Sequence, residues 1–97
     1  MAKITWTEEA QRWLKDIFEY IAADNPHAAG RTVQGIYDRV QDLVTLPEIG
    51  YPYTASSRQV RILLYGHYRI AYLVKDDGNV DILGVFHSAL DITRYQL

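Results

Sequence analysis

The stretch from Arg58 to Val74, RQVRILLYGHYRIAYLV, constrains the fold of this chain more than any other. Two runs of alternating, β-branched and aromatic residues flank a glycine, the pattern of two strands joined by a tight turn. Successive side chains of a strand point to opposite faces, so such a hairpin commits the chain to a sheet whose apolar face must be covered. Three cations, Arg58, Arg61 and Arg69, sit within this run and must also be placed.

Register decides where they go. If Tyr65-Gly66-His67 is a three-residue loop, Leu64 lies opposite Tyr68, and one face collects Val60, Ile62, Leu64, Tyr68, Ile70, Tyr72 and Val74. Val80, Ile82 and Phe86 extend that face on the next strand. The other face then carries Arg61, Leu63, Arg69, Ala71, Leu73, Asp81, Val85 and His87. A two-residue loop separates Arg61 from Arg69 and splits the apolar set, so a continuous core favours the longer loop. On that register, Arg61 and Arg69 flank an exposed apolar strip of Leu63, Ala71 and Leu73, a feature that points to a partner. The plainer alternative has the arginines solubilising an open sheet face or pairing with Asp81.

The remaining segments supply the cover. Lys3–Trp6 alternates as a short edge strand, and Thr7 before Glu8 and Glu9 reads as a helix N-cap with carboxylates at the positive end of the dipole. Ala10, Trp13, Leu14, Ile17, Phe18, Ile21 and Ala22 recur every three or four residues, which predicts an amphipathic helix. Asn25 and Pro26 cap and open a second helix, which buries Ala29, Val33, Ile36, Tyr37, Val40, Leu43 and Val44 and stops near Leu46, because Pro47 follows. Gly30 and Gly35 suggest close approach of the two helix backbones. Residues 47–57 form an irregular connection, Asp76–Asn79 a turn, Val80–His87 a last strand and Ser88–Leu97 a tail with a helical turn. The expected architecture is α+β in the order β-α-α-β-β-β, an antiparallel sheet packed on a two-helix hairpin, as one domain over residues 1–97.

Composition narrows the function classes. With no cysteine, thiolate chemistry and disulfides are excluded and a reducing cytoplasm is the expected location. No apolar stretch approaches the ~20 residues that span a bilayer, and the first ten residues lack the apolar core of a secretory signal, so no membrane partner is expected. A net charge of −2 argues against generic nucleic-acid binding. The charge is uneven, however: residues 1–48 hold five Lys/Arg and eight Asp/Glu, whereas residues 49–75 hold four cations and no acid. His27, His67 and His87 show no metal-ligand spacing with acids, so no metal or cofactor is expected. His87, ending an apolar strand, reads first as a hydrogen-bonding residue and second as a general base.

The patterns ITWTEEA, IFEYIAADNPHAA, LPEIGYPY, VRILLYGHYRIAYLV and VFHSALDITR, in this order from Ile4 to Arg94, resemble the RelE/ParE superfamily of bacterial toxin–antitoxin modules. The resemblance implies a sheet on a helical hairpin and neutralisation by a cognate antitoxin, with operator DNA reached only through that antitoxin. It also implies one of two activities. RelE-like members cleave ribosome-bound messenger RNA and ParE-like members poison DNA gyrase.

Metal-independent RNA cleavage needs cations around the charged transition state and groups that move protons at the attacking and leaving oxygens. The resemblance maps such roles onto Arg61, Arg69 and Tyr95. No arginine occupies His87-Ser88-Ala89-Leu90-Asp91, where RelE-like enzymes carry one, and each lost charged contact costs about 10²-fold or more. The ParE-like reading fits better, through Asn25-Pro26, Leu46-Pro47, Val60-Arg61, Tyr68-Arg69-Ile70 and His87 with Asp91-Ile92 and Arg94. It makes the protein a non-enzymatic gyrase inhibitor, with Arg58, Arg61, Leu63, Arg69, Ala71, Leu73, His87 and Arg94 as candidate antitoxin or target contacts. Leu90 stands where relatives often have an arginine, which admits a third reading, a degenerate toxin that only binds antitoxin.

Overall fold

The computed structural model describes residues 1–90, 92–95 and 97. Strand β1 (Ile4–Trp6) leads into α1 (Glu8–Ala22) through Thr7, whose Oγ1 accepts from the Ala10 N–H at 3.2 Å and donates to the Ile82 carbonyl at 2.7 Å. One hydroxyl therefore caps the helix and ties its start to the last strand. Asn25 caps α2 (Pro26–Gln41) by accepting from the Ala28 N–H, with Pro26 in the first turn, where its missing N–H is no loss. α2 ends at Gln41 and a 3-10 turn (Asp42–Val44) completes the descent before Pro47.

The sheet has five strands in the order β1-β5-β4-β3-β2, with β2 (Tyr51–Pro52), β3 (Val60–Tyr65), β4 (Tyr68–Val74) and β5 (Val80–His87). It is mixed: β1 runs parallel to β5, and the other pairs are antiparallel. The connection at residues 47–57 contributes β2, two residues beside β3, which its Pro and Gly content did not announce.

Two local features overturn the expected faces. Tyr65 pairs with Tyr68, so the β3–β4 loop has two residues, Gly66 and His67. Gly66 has φ +55° and no non-glycine residue among the described ones has positive φ, the pattern of a Gly-first type II′ turn, whose twist matches that of the strands. The turn's own geometry thus outweighs the gain of a one-sided core. β3 is thereby shifted by one residue relative to the three-residue reading, and every side chain on it changes face. On β5, Ala71 pairs with Gly84 while Tyr72 pairs with Ile82, leaving Leu83 as the extra residue of a bulge. Beyond the bulge the parity reverses: Val85 joins the helix-side core, and Phe86 goes to the opposite face.

The outcome is two cores. Ala10, Leu14, Ile36, Val40 and Leu43 from the helical layer pack on Leu63, Ile70, Tyr72, Val80, Ile82 and Val85. On the other face Ile62, Ala71 and Phe86 are covered by Ile92, with Tyr53, Tyr95 and Leu97 against them. Trp13 belongs to both, because β1 ends opposite Ile82 and leaves the later part of β5 open to the side chains of α1. Its ring lies 4.6 Å from that of Phe86. A Cβ on Gly84 would come within 2.7 Å of the Phe86 ring, so the bulge glycine makes room for this contact. Gly35 likewise accommodates the Tyr65 ring rather than α1, and Gly30 meets nothing within 4 Å, so the glycines do not serve helix–helix approach.

Tyr72 locks the segment before β2. Its buried hydroxyl accepts from the Gly50 N–H at 2.9 Å, and a Cβ on Gly50 would lie 2.7 Å from both that oxygen and the Ile62 carbonyl. Burial holds the Tyr72 phenol above its ordinary value of 10.0, partly offset by the Gly50 hydrogen bond and the Arg61 charge. The folded state prefers the neutral phenol, so this stabilisation is intact below pH 10 and lost as the pH rises beyond it. Tyr72→Phe, which leaves a buried N–H without a partner, is expected to cost about 1–3 kcal/mol in denaturant unfolding and to remove this alkaline component. Gly50→Ala, which places a methyl group against backbone, is expected to cost at least ~1–3 kcal/mol in the same measurement.

Candidate functional site

The hairpin register separates the two central arginines. Arg61 pairs across the ladder with Tyr72, on the helix side, and its Nη1 donates to the Gly50 carbonyl at 2.6 Å and the Glu48 carbonyl at 3.1 Å. Its guanidinium is half-buried and secures the same segment that Tyr72 holds. Arg69 is on the opposite face, across from Leu64 on one side and Phe86 on the other. Its Nη2 donates to the Leu90 carbonyl at 2.6 Å, while its Nε is buried without a partner among the described residues. The expectation that both project together from the bare face is therefore wrong: one residue of register separates them.

The apolar strip expected between them is also absent. Leu63 is 1% exposed and belongs to the helix-side core, Ala71 is fully buried under Ile92 and Phe86, and Leu73 is half-buried. Asp81 is paired with Lys75 at 3.5 Å. Residues expected as a tail supply the missing cover for the outer face, through the 3-10 turn Ile92–Arg94 and the residues beside it.

The other candidates are dispersed. Arg58 and Arg94 are exposed, the first before β3 and the second in the 3-10 turn. Tyr95 is half-buried, its ring 5.3 Å from Trp13 and 5.1 Å from Phe86, in an aromatic cluster. Asp91 lies outside the described residues. Hence Arg61, Arg69 and Tyr95 do not converge. The first is bound to a loop on the helix side, the second bridges to Leu90, and the third packs edge-on against Trp13.

What the fold assembles instead is an apolar groove of about 530 Å³ beside α1. Trp13, Ile17, Tyr20 and Ile21 line it from the helix; Tyr68 and Val85 form its floor and His87, Ala89 and Leu90 its far wall. Tyr20 is 84% exposed and Leu90 38%. Asp16 is the acid at its rim. The Tyr68 phenol is raised by burial and, secondarily, by Tyr20, so it remains a neutral donor and acceptor at the groove. Among the groove residues the sequence singled out His87, Leu90, Tyr68 and Trp13 for other reasons. Tyr20 is not among them, although its place three residues after Ile17 and seven after Trp13 puts it at the edge of the apolar stripe of α1.

A family model described as the ParE toxin of the type II toxin–antitoxin system parDE matches residues 4–92. The chain belongs to the ParE toxin family. Y4kP of Sinorhizobium fredii, named as a proposed toxin, is 37% identical over 86 residues, which cover 89% of this chain and 88% of that protein. Among solved structures, the chromosomal ParDE toxin–antitoxin system from P. aeruginosa superposes with a TM-score of 0.74 at 24% identity, covering 90% of this chain and 96% of that one. The RelBE2 toxin–antitoxin complex from Mycobacterium tuberculosis gives 0.60 at 24% identity, over 89% and 96%. These two likenesses concern the fold, two helices on a mixed five-stranded sheet. This ParE-family toxin also has no helix, among its described residues, long and apolar enough to cross a membrane.

If Arg61 anchors its own chain, Arg61→Met should destabilise the isolated toxin. Losing two hydrogen bonds from a charged donor is expected to cost about 1.5–3 kcal/mol in chemical denaturation, whereas a purely docking arginine would leave stability unchanged.

Proposed function

We propose that this toxin acts by binding a large target rather than by catalysis, with DNA gyrase as that target, and that a cognate antitoxin holds it inactive. The observation that carries this reading is the separation of Arg61, on the helix side of the sheet, from Arg69 and Tyr95 on the other side. Stabilising a phosphoryl transition state takes donors aimed at one point, and donors committed to opposite faces of a sheet contribute little to it. Operator DNA is reached only through the antitoxin, consistent with the chain's net charge of −2.

The antitoxin surface moves accordingly. In place of the outer sheet face, the groove beside α1 takes the apolar side of an antitoxin segment, covering the Tyr20 and Leu90 side chains that the fold leaves open. The structural neighbours, described as toxin–antitoxin systems or complexes, support a partner of this class. Arg58 and Arg94, both exposed, are among the cations placed to meet acids on that partner or on the target.

Supercoiling by purified gyrase is expected to fall as the toxin is added, while primer extension on messages from cells expressing it shows no new cuts at codon positions. The reverse pair of results would establish a ribonuclease. Absence of both effects, with antitoxin binding retained, would mark a degenerate toxin. Ile17→Glu places a charge in the groove and is expected to weaken antitoxin binding more than tenfold in calorimetry, while Arg61→Met leaves it within threefold (~0.7 kcal/mol).

A further inference from the structure

We propose that residues 87–90 form a pH-operated wall of the groove, closed while Nδ1 of His87 is unprotonated and opened by acid. The proposal rests on the reading of this groove as the antitoxin site for its biological consequence, but the switch itself is a property of the isolated chain.

Among the described residues, four hydrogen bonds hold the wall. The Ser88 N–H donates to the His67 carbonyl at 2.7 Å, the Leu90 N–H to the His87 carbonyl at 2.9 Å, and Arg69 Nη2 to the Leu90 carbonyl at 2.6 Å. The fourth differs in kind: the Ala89 N–H donates to Nδ1 of His87 at 3.1 Å. Nδ1 accepts only through its lone pair. When a solvent proton takes that lone pair, the nitrogen becomes an N–H facing another N–H, and an attraction turns into a repulsion. His87 is exposed, so protons reach it directly. Histidine is the side chain whose charge changes in the pH 5 to 8 range.

The surroundings work in the same direction. The His67 ring lies 6.2 Å from that of His87 with 25° between their planes, so acid creates two like charges face to face. Arg69, bound to the same turn through Leu90, adds a permanent cation. Tyr68 meets His87 edge-on at 5.6 Å, and its raised phenol stays neutral in acid. From α1, Tyr20 and Asp16 face the groove, and Asp16 is the one acid that lines it among the described residues. Ala89 and Leu90, once released, withdraw apolar surface from the groove, so binding there weakens as the pH falls.

The test follows Trp13, which lines the groove, in a Trp6→Phe background where it is the only tryptophan. As the solution is acidified its emission is expected to move to the red, in step with the change of the His87 imidazole resonance. His87→Asn puts an amide oxygen where Nδ1 stood, accepts from Ala89 at every pH, and should lose the shift. His67→Gln leaves the Ala89–His87 bond in place and should keep it. The heteronuclear NOE of the Ala89 amide, read on the unsubstituted chain, should fall across the same titration. A shift that survives in His87→Asn, one that vanishes in His67→Gln, or an Ala89 amide equally ordered at both ends would overturn the proposal. No antitoxin or gyrase enters these measurements, so they fail or succeed apart from the binding assays.

Discussion

The structure depends on a two-residue turn. Gly66 at positive φ lets β3 and β4 meet with Tyr65 opposite Tyr68, and every side chain of β3 takes its face from that match. Leu63 turns under the helices, Ile62 turns away from them, and Arg61 parts from Arg69. A tight turn of matching twist brings the strands together with fewer residues ordered outside the ladder than a longer loop needs. Its consequence is a sheet with apolar residues on both faces, which demands cover on both.

That demand explains the rest of the architecture. The helical hairpin covers one face, and Ile92, Tyr95 and Leu97 help to cover the other, an outer layer that rests on Ile62, Ala71 and Phe86. The bulge at Leu83 serves the same end, because without it Phe86 would point under the helices and Val85 away from them. Trp13 joins the layers where β1 falls short, giving α1 a hold on both cores. The arginines are absorbed into this scheme as fasteners. Arg61 binds the connection before β2 and Arg69 binds the turn after β5, each through a backbone carbonyl.

A toxin built this way has its two central sheet arginines, Arg61 and Arg69, spent on its own loops and an open apolar groove beside α1. Partner contact at such a site draws on buried apolar area and on the shape of the 87–90 wall more than on charge pairing. The placement of Arg61 and Arg69 on opposite faces is the observation behind the proposal that this ParE-family chain acts by recognition. The wall is also the least secured part of the groove, being a turn held by single hydrogen bonds instead of a ladder.

The order of the elements other than β2, both helix caps, most of the helices' core stripes and the toxin family were legible in the sequence, because each depends on neighbours within a few residues or on motifs in a fixed order; Phe18 and Tyr37, expected in those stripes, are exposed. Even the signals for the true register were present: Gly66 at the first turn position and Gly84 inside an apolar strand, a common mark of a bulge. Their weight against a continuous one-sided core was not readable locally, since it depended on Ile92, Tyr95 and Leu97 returning to cover the second face. Tertiary structure alone decided that Arg61 and Arg69 lie on opposite sides, that Tyr20 and Leu90 border one groove, and that His87 and His67 stack. Side-chain facing has a period of two, so a single residue of slip, resolved only by long-range packing, reassigns the whole surface.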